Sequence, residues 1–114
     1  LLVVTSSEII GRKAIKTLGL VRGTTVRAHH VGNDIIAFLR NMVGGEVVEY
    51  TKMLAESREQ ALDRLIEEAK ALGADAVVDV MYSTSDIASG AAEVLVYGTA
   101  VKLEKEYITV DPSE

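Results

Sequence analysis

The sequence predicts an α+β fold of two layers, a β-α-β-β arrangement in which one long helix lies across an antiparallel sheet. Three observations lead there. The stretch Gly44–Val80 carries a long amphipathic pattern that stops at Gly73 and passes at once into an apolar run. Extended, β-branched sequence flanks it on both sides. The last two strands carry apolar residues on both faces, and one helix shields only one of them. The exposed remainder makes this a ring-forming subunit, closed by contacts with copies of itself.

Taken in order, Leu1–Val4 is a short apolar run with strand character. Thr5–Glu8 has the spacing of a capping box, but Gly11 follows too soon for an ordinary helix, so the segment is a turn. Lys13–His30 is a long extended segment, rich in Val, Ile, Leu and Thr, in which Gly19 and Gly23 mark a bulge, bend or tight turn. Asn33 or Asp34 then caps a short helix, Ile35–Met42, with Ile36, Leu39 and Val43 on one side. Gly44 and Gly45 break it.

From Val47 onward the positions Val47, Tyr50, Leu54, Ala61, Leu62, Leu65, Ile66, Ala69 and Leu72 form one stripe of a helix about 40 Å long. Glu49, Lys52, Glu56, Glu59, Asp63, Glu67 and Lys70 form the solvated face, where Lys52 and Glu56 can pair for about 0.2–0.5 kcal/mol. Arg58 lies near the buried stripe; its stem can cover apolar surface, or its head can make an interface or anion contact. Gly73 supplies the left-handed residue that ends the helix. Ala74–Tyr82 is a strand, with Ala76, Val78, Val80 and Tyr82 on one face and Val77, Asp79 and Met81 on the other. Ser83–Gly90 is a polar loop. Glu93–Leu103 is the last strand, with Val94 and Val96 opposite Leu95, Tyr97, Val101 and Leu103. The tail, Glu104–Glu114, is charged and frays. The whole, residues 1–114, is one domain.

Composition narrows the function. Of 114 residues, 48% are hydrophobic, and the formal net charge is -5 with no basic block, which argues against nucleic acid or an anionic membrane surface as the partner. No run reaches the roughly 20 apolar residues of a membrane span. No signal peptide is visible, and the missing initial methionine leaves room for residues upstream of Leu1. There is no cysteine, so disulfides and thiolate metal sites are excluded and a cytoplasmic location is expected.

Candidate site residues are few. His29 and His30 are the only histidines. Adjacent strand residues point to opposite faces, so the better local metal pair is His30 with Asp34, if the turn folds back. Two ligands are too few for a closed site, and ordinary surface or interface histidines are the competing reading. Ser6 and Ser7 have no nearby base and no nucleophile elbow. Asp75 and Asp79 are paired carboxylates able in principle to do acid–base work, although exposed charges beside strands are commoner. Gly19-x-x-x-Gly23 lacks the Lys-Ser/Thr and the helix of a phosphate loop. No catalytic constellation is visible, so the chain is not expected to be an enzyme.

An ordered set of motifs adds to this reading: Asp34-x-x-x-x-x-Arg40, Gly44-Gly45 with Tyr50, Glu56-Ser57-Arg58-x-x-Ala61, Ala71-Leu72-Gly73-Ala74-Asp75-Ala76-Val77-Val78 and Tyr97-Gly98-Thr99-Ala100-Val101. Together, over roughly residues 2 to 103, they resemble the YbjQ-type family, which carries a heavy-metal-binding label. The resemblance implies a dodecin-like subunit that assembles as a homopentamer. It carries over no ligand, since the matching motifs suit backbone turns and close packing, as Gly44, Gly45, Gly73 and Gly98 do. The absence of cysteine weakens the label for soft metals. The expected function is thus a ring-forming oligomeric binding protein, holding a metal or small ligand at subunit contacts with no cofactor identified. The alternative is a structural oligomeric module without its own ligand.

Overall fold

The computed structural model describes residues 1–28, 45–88 and 90–105. The short helix expected at Ile35–Met42 and the tail from residue 106 lie outside them. The elements are β1 (Leu2–Val3), β2 (Ala14–Ala28), α1 (Gly45–Ala71), β3 (Ala76–Ala88) and β4 (Ala91–Leu103). They form one four-stranded sheet in the order β1-β3-β4-β2, with the helix on one face. The α+β class holds, and the sheet is mixed. β4 pairs antiparallel with both β2 and β3, but β1 runs parallel to β3, Leu2 opposite Ala76 and Val3 opposite Val77. The expectation of a wholly antiparallel sheet is corrected there. A two-residue strand carries no pattern that fixes its direction; its partner, some seventy residues away, does.

The helix is built as its sequence dictates at both ends of the argument, propensity and cap. It spans 27 residues with Lys70 in its last turn. At its end the amide of Gly73 donates to Lys70 O (2.9 Å) and that of Ala74 to Ala69 O (3.0 Å), with Gly73 at φ 74°. These two bonds, with Ala69 and Ala74 in one apolar cluster, are the Schellman motif. The buried row is Met53, Ser57, Ala61, Leu65 and Ala69, one residue every four, flanked by half-buried Leu54, Leu62 and Ile66. Met53 and Ser57 were not in the predicted stripe, and Leu72, which was, is 46% exposed at the helix end, just before Gly73. Ser57 is tolerated inside because both its polar groups are used: Oγ donates to Met53 O and its carbonyl accepts from Thr25 Oγ1, each at 2.8 Å. Glu56 takes Arg27 of β2 at 3.1 Å, and Arg58 is exposed.

Small residues let the helix approach the sheet closely. A Cβ on Gly23 would stand 1.8 Å from Ala61 O, so the helix backbone rests on the backbone of β2. Gly23 therefore marks close packing, whereas Gly19, at φ 128°, sits at a register shift as expected of a bulge. Gly98 plays the same close-packing part in β4, where a Cβ would meet a Val77 methyl at 2.7 Å.

β3 departs from its predicted alternation. Between Val78 and Met81 the register with β4 slips, because Asp79 adopts φ 54° and forms a bulge. Val77 and Val80 consequently both face the helix, and Ala76 and Val78 face away. The alternation of β4 holds as predicted: Val94, Val96 and Ala100 face the helix, Val101 and Leu103 the other side. The expected loop at Ser83–Gly90 is strand as far as Ala88, and the hairpin turns between Ala88 and Ala91 with Gly90 at φ 78°. Ser83, Thr84 and Ser85 read as loop because they are polar, but each pairs with a residue of β4 and faces solvent, where Ser and Thr suit a strand.

Candidate functional site

His29, His30 and Asp34 lie outside the described residues. Among the described residues no group of three or more His, Asp or Glu side chains could hold a metal ion. The carboxylates singled out in the sequence have structural partners. Asp75 Oδ2 accepts the amide of Leu103 (2.9 Å), and Lys102 Nζ lies 3.8 Å from Oδ1. Asp79 Oδ1 accepts the hydroxyl of Ser7 (2.8 Å), and its amide donates to Ser6 O (3.0 Å). Ser6 Oγ donates to Glu8 O within the turn (2.7 Å). Ser6, Ser7 and Asp79 thus hold the N-terminal turn against the bulge of β3.

The remaining candidate surface is that of the sheet. Its outer face, away from the helix, falls into two parts. At one end Ala76, Val78, Val101 and Leu103 are covered by Val4 and Ile9, as the chain crosses from β1 at one edge towards β2 at the other. Beyond that segment Leu20 (62% exposed), Met81 (54%) and Tyr97 (37%) form an uncovered patch, and Val26 (60%) is exposed farther along β2. The register groups the first three, since Leu20 pairs Thr99, two residues from Tyr97, and Tyr97 pairs Met81; Val26 pairs Glu93, with Arg22 and Thr24 between it and Leu20 on the same face. The exposed apolar remainder expected from the sequence is present in this part of the face, whereas the N-terminal segment covers the other part. Leu20 and Val26 were missed as members of the patch, although the adjacent apolar pair Leu20-Val21 is the signal of a strand with two apolar faces.

Among the described residues both lateral edges lack a neighbouring strand as well. β2 pairs only with β4 along Ala14–Ala28, and β3 from Met81 onward pairs only with β4, since β1 and its continuation end their bonds at Asp79 and Val80. On the helix side, α1 packs against β2 and β4, leaving Tyr82 of β3 44% exposed. Among the described residues, then, the chain offers two edges that lack a neighbouring strand, with Thr24 O of β2 taken by the Arg64 guanidinium, and apolar side chains exposed beside them.

A two-layer α+β chain with these exposed surfaces defines a class of small domain, and comparison with known proteins gives the family. The chain belongs to the YbjQ family, described as "Putative heavy-metal-binding", whose profile matches residues 1–104. A "UPF0145 protein" of Methanosarcina acetivorans is 52% identical over 103 residues, covering 90% of this chain and 97% of the relative. Relatives bearing the same designation in Pyrococcus furiosus (55% over 106 residues, 93% of each chain) and Thermus thermophilus (53% over 104 residues, 91% of each chain) are equally similar. None of these names is that of an enzyme. A crystal structure of a DUF74-family protein from Pediococcus pentosaceus, described as of unknown function, superposes with a TM-score of 0.64 at 18% identity, covering 91% of this chain and 98% of that one, and so shares the fold.

Proposed function

We propose that this chain is the subunit of a ring-forming oligomeric binding protein, cytoplasmic and non-catalytic, that holds a metal or small ligand where subunits meet. The observation that carries the reading is the apolar outer patch of Leu20, Met81 and Tyr97, with Val26 exposed farther along β2, beside the edges of β2 and β3. Contact between the β2 edge of one copy and the β3 edge of the next joins two different surfaces, is heterologous, and closes into a ring when the rotation fits. The count of five rests on the family resemblance. For a metal, His30 and Asp34 are the candidate ligands.

Native mass spectrometry and light scattering at micromolar concentration test the assembly. A closed homo-oligomer is expected, and the double variant Leu20→Glu/Val26→Glu should dissociate it while leaving the helical circular-dichroism signal in place. A stable, well-folded wild-type monomer would overturn the reading; a ring of another size would correct only the count.

A further inference from the structure

A second feature stands apart from the assembly surfaces. Where the N-terminal segment crosses the outer face, it leaves a partly open cleft of about 430 Å³ between the Ser7–Ala14 stretch and the ends of β3 and β4. That volume falls within the roughly 300–1,000 Å³ of small-molecule sites. Its apolar lining comes from Ile9, Val78 and Leu103, and its charged lining from Glu8, Arg12 and Lys13.

Arg12 is short of acceptors. Its Nε–H is buried without a hydrogen-bond partner, and one Nη reaches only the carbonyl of Glu104 at 3.4 Å. Among the described residues neither Arg12 nor Lys13 has a carboxylate within ion-pair distance. Arg12 and Lys13 thus place two adjacent cations without a carboxylate partner beside an apolar floor. A buried donor of a charged group left unpaired costs free energy that an incoming acceptor recovers. A guanidinium offers two parallel N–H groups to the two oxygens of a carboxylate. The charges of Arg12, Lys13 and Glu8 in the lining sum to +1, which a monoanion neutralises and a dianion such as a phosphate monoester would leave at a net -1.

We propose that this cleft binds a small organic monocarboxylate, its carboxylate on Arg12 and Lys13 and its hydrocarbon body against Ile9, Val78 and Leu103. The cleft is formed within one chain, so the proposal stands whether or not the subunits form a ring. Titration of the intact, isotope-labelled protein with hexanoate, followed by transverse-relaxation-optimised amide spectra, tests it, with hexanol and inorganic phosphate as comparison probes. Hexanoate should shift the amides of Ile9, Arg12, Lys13 and Val78 saturably, more tightly than either other probe. Arg12→Met should weaken the binding about tenfold or more. Lys13→Met, at an exposed position that leaves the fold intact, should weaken it too and make it less sensitive to salt. The proposal fails if hexanoate produces no saturable shift at these amides, if hexanol or phosphate binds as tightly, or if Lys13→Met binds hexanoate as the wild type does.

Discussion

Replacing Gly23 by alanine should be among the most damaging single-methyl additions this protein can receive. The added Cβ would stand 1.8 Å from Ala61 O and 2.7 Å from the Leu65 amide nitrogen. An ordinary C···O separation is about 3.3 Å, so the helix would have to retreat by about 1.5 Å. Neither neighbour can rotate away, because both are helix backbone. A gap of that size along the row Ser57, Ala61 and Leu65 strips much of their contact with Val21 and β4 and stretches the 2.8 Å bond from Thr25 to Ser57 O. Overpacking of a core costs about 1–3 kcal/mol where side chains can adjust, and here they cannot, so about 3 kcal/mol or more is expected from a total of about 5–15. Urea melts at fixed protomer concentration measure it, since assembly makes stability concentration-dependent. Adding Ala61→Gly should give no relief, because the clash is with a carbonyl and not with the Ala61 methyl. A Gly23→Ala protein within about 1 kcal/mol of wild type, or one rescued by Ala61→Gly, would refute the packing described here.

Other expected outcomes follow from single positions. Leu65→Ala removes a fully buried side chain and should cost about 2–5 kcal/mol, while the exposed Glu67→Ala should stay within about 0.5; equal effects in urea melts would mean the helix is rotated otherwise. Asp75→Ala leaves the half-buried Leu103 amide without its acceptor and should cost about 1–3 kcal/mol, detectable as faster amide exchange at Leu103; unchanged exchange there would remove that role. Calorimetric titration with zinc, copper(I) and cadmium should reveal no stoichiometric sub-micromolar site, since cysteine is absent. If weaker binding is found, His30→Ala should abolish it.

What could be read from the residues was whatever depends on neighbours in sequence. The helix, its cap at Gly73 and the alternation of β4 follow from spacing and backbone preference, and all three hold. What escaped depends on residues far apart. The direction of β1 is set by β3, the bulge at Asp79 by the need to keep Val77 and Val80 on one core, and the strand character of Ser83–Ala88 by its partner across the hairpin. Ser57 looked polar and Gly23 looked like a turn until the helix and β2 were laid together, where each is required by the other's backbone. The candidate metal residues, His30 and Asp34, lie outside the described residues, whereas the open patch was half anticipated by counting apolar faces against a single helix.

The position of β4 has a bearing on how the protein comes into being. β4, one of the two inner strands and the one both β2 and β3 pair with, is the last element of the described chain. Until Ala91–Leu103 has been synthesised, β2 has no neighbouring strand and β3 has only β1 and its continuation to Ser6, while Ala14 must wait for Leu103. Non-local pairing of this kind slows folding and leaves unpaired strands exposed to other chains meanwhile. A nascent chain ending at Ala88 should therefore give no cooperative melt and should be open to protease throughout, and the transition to a resistant state should arrive all at once with the final strand.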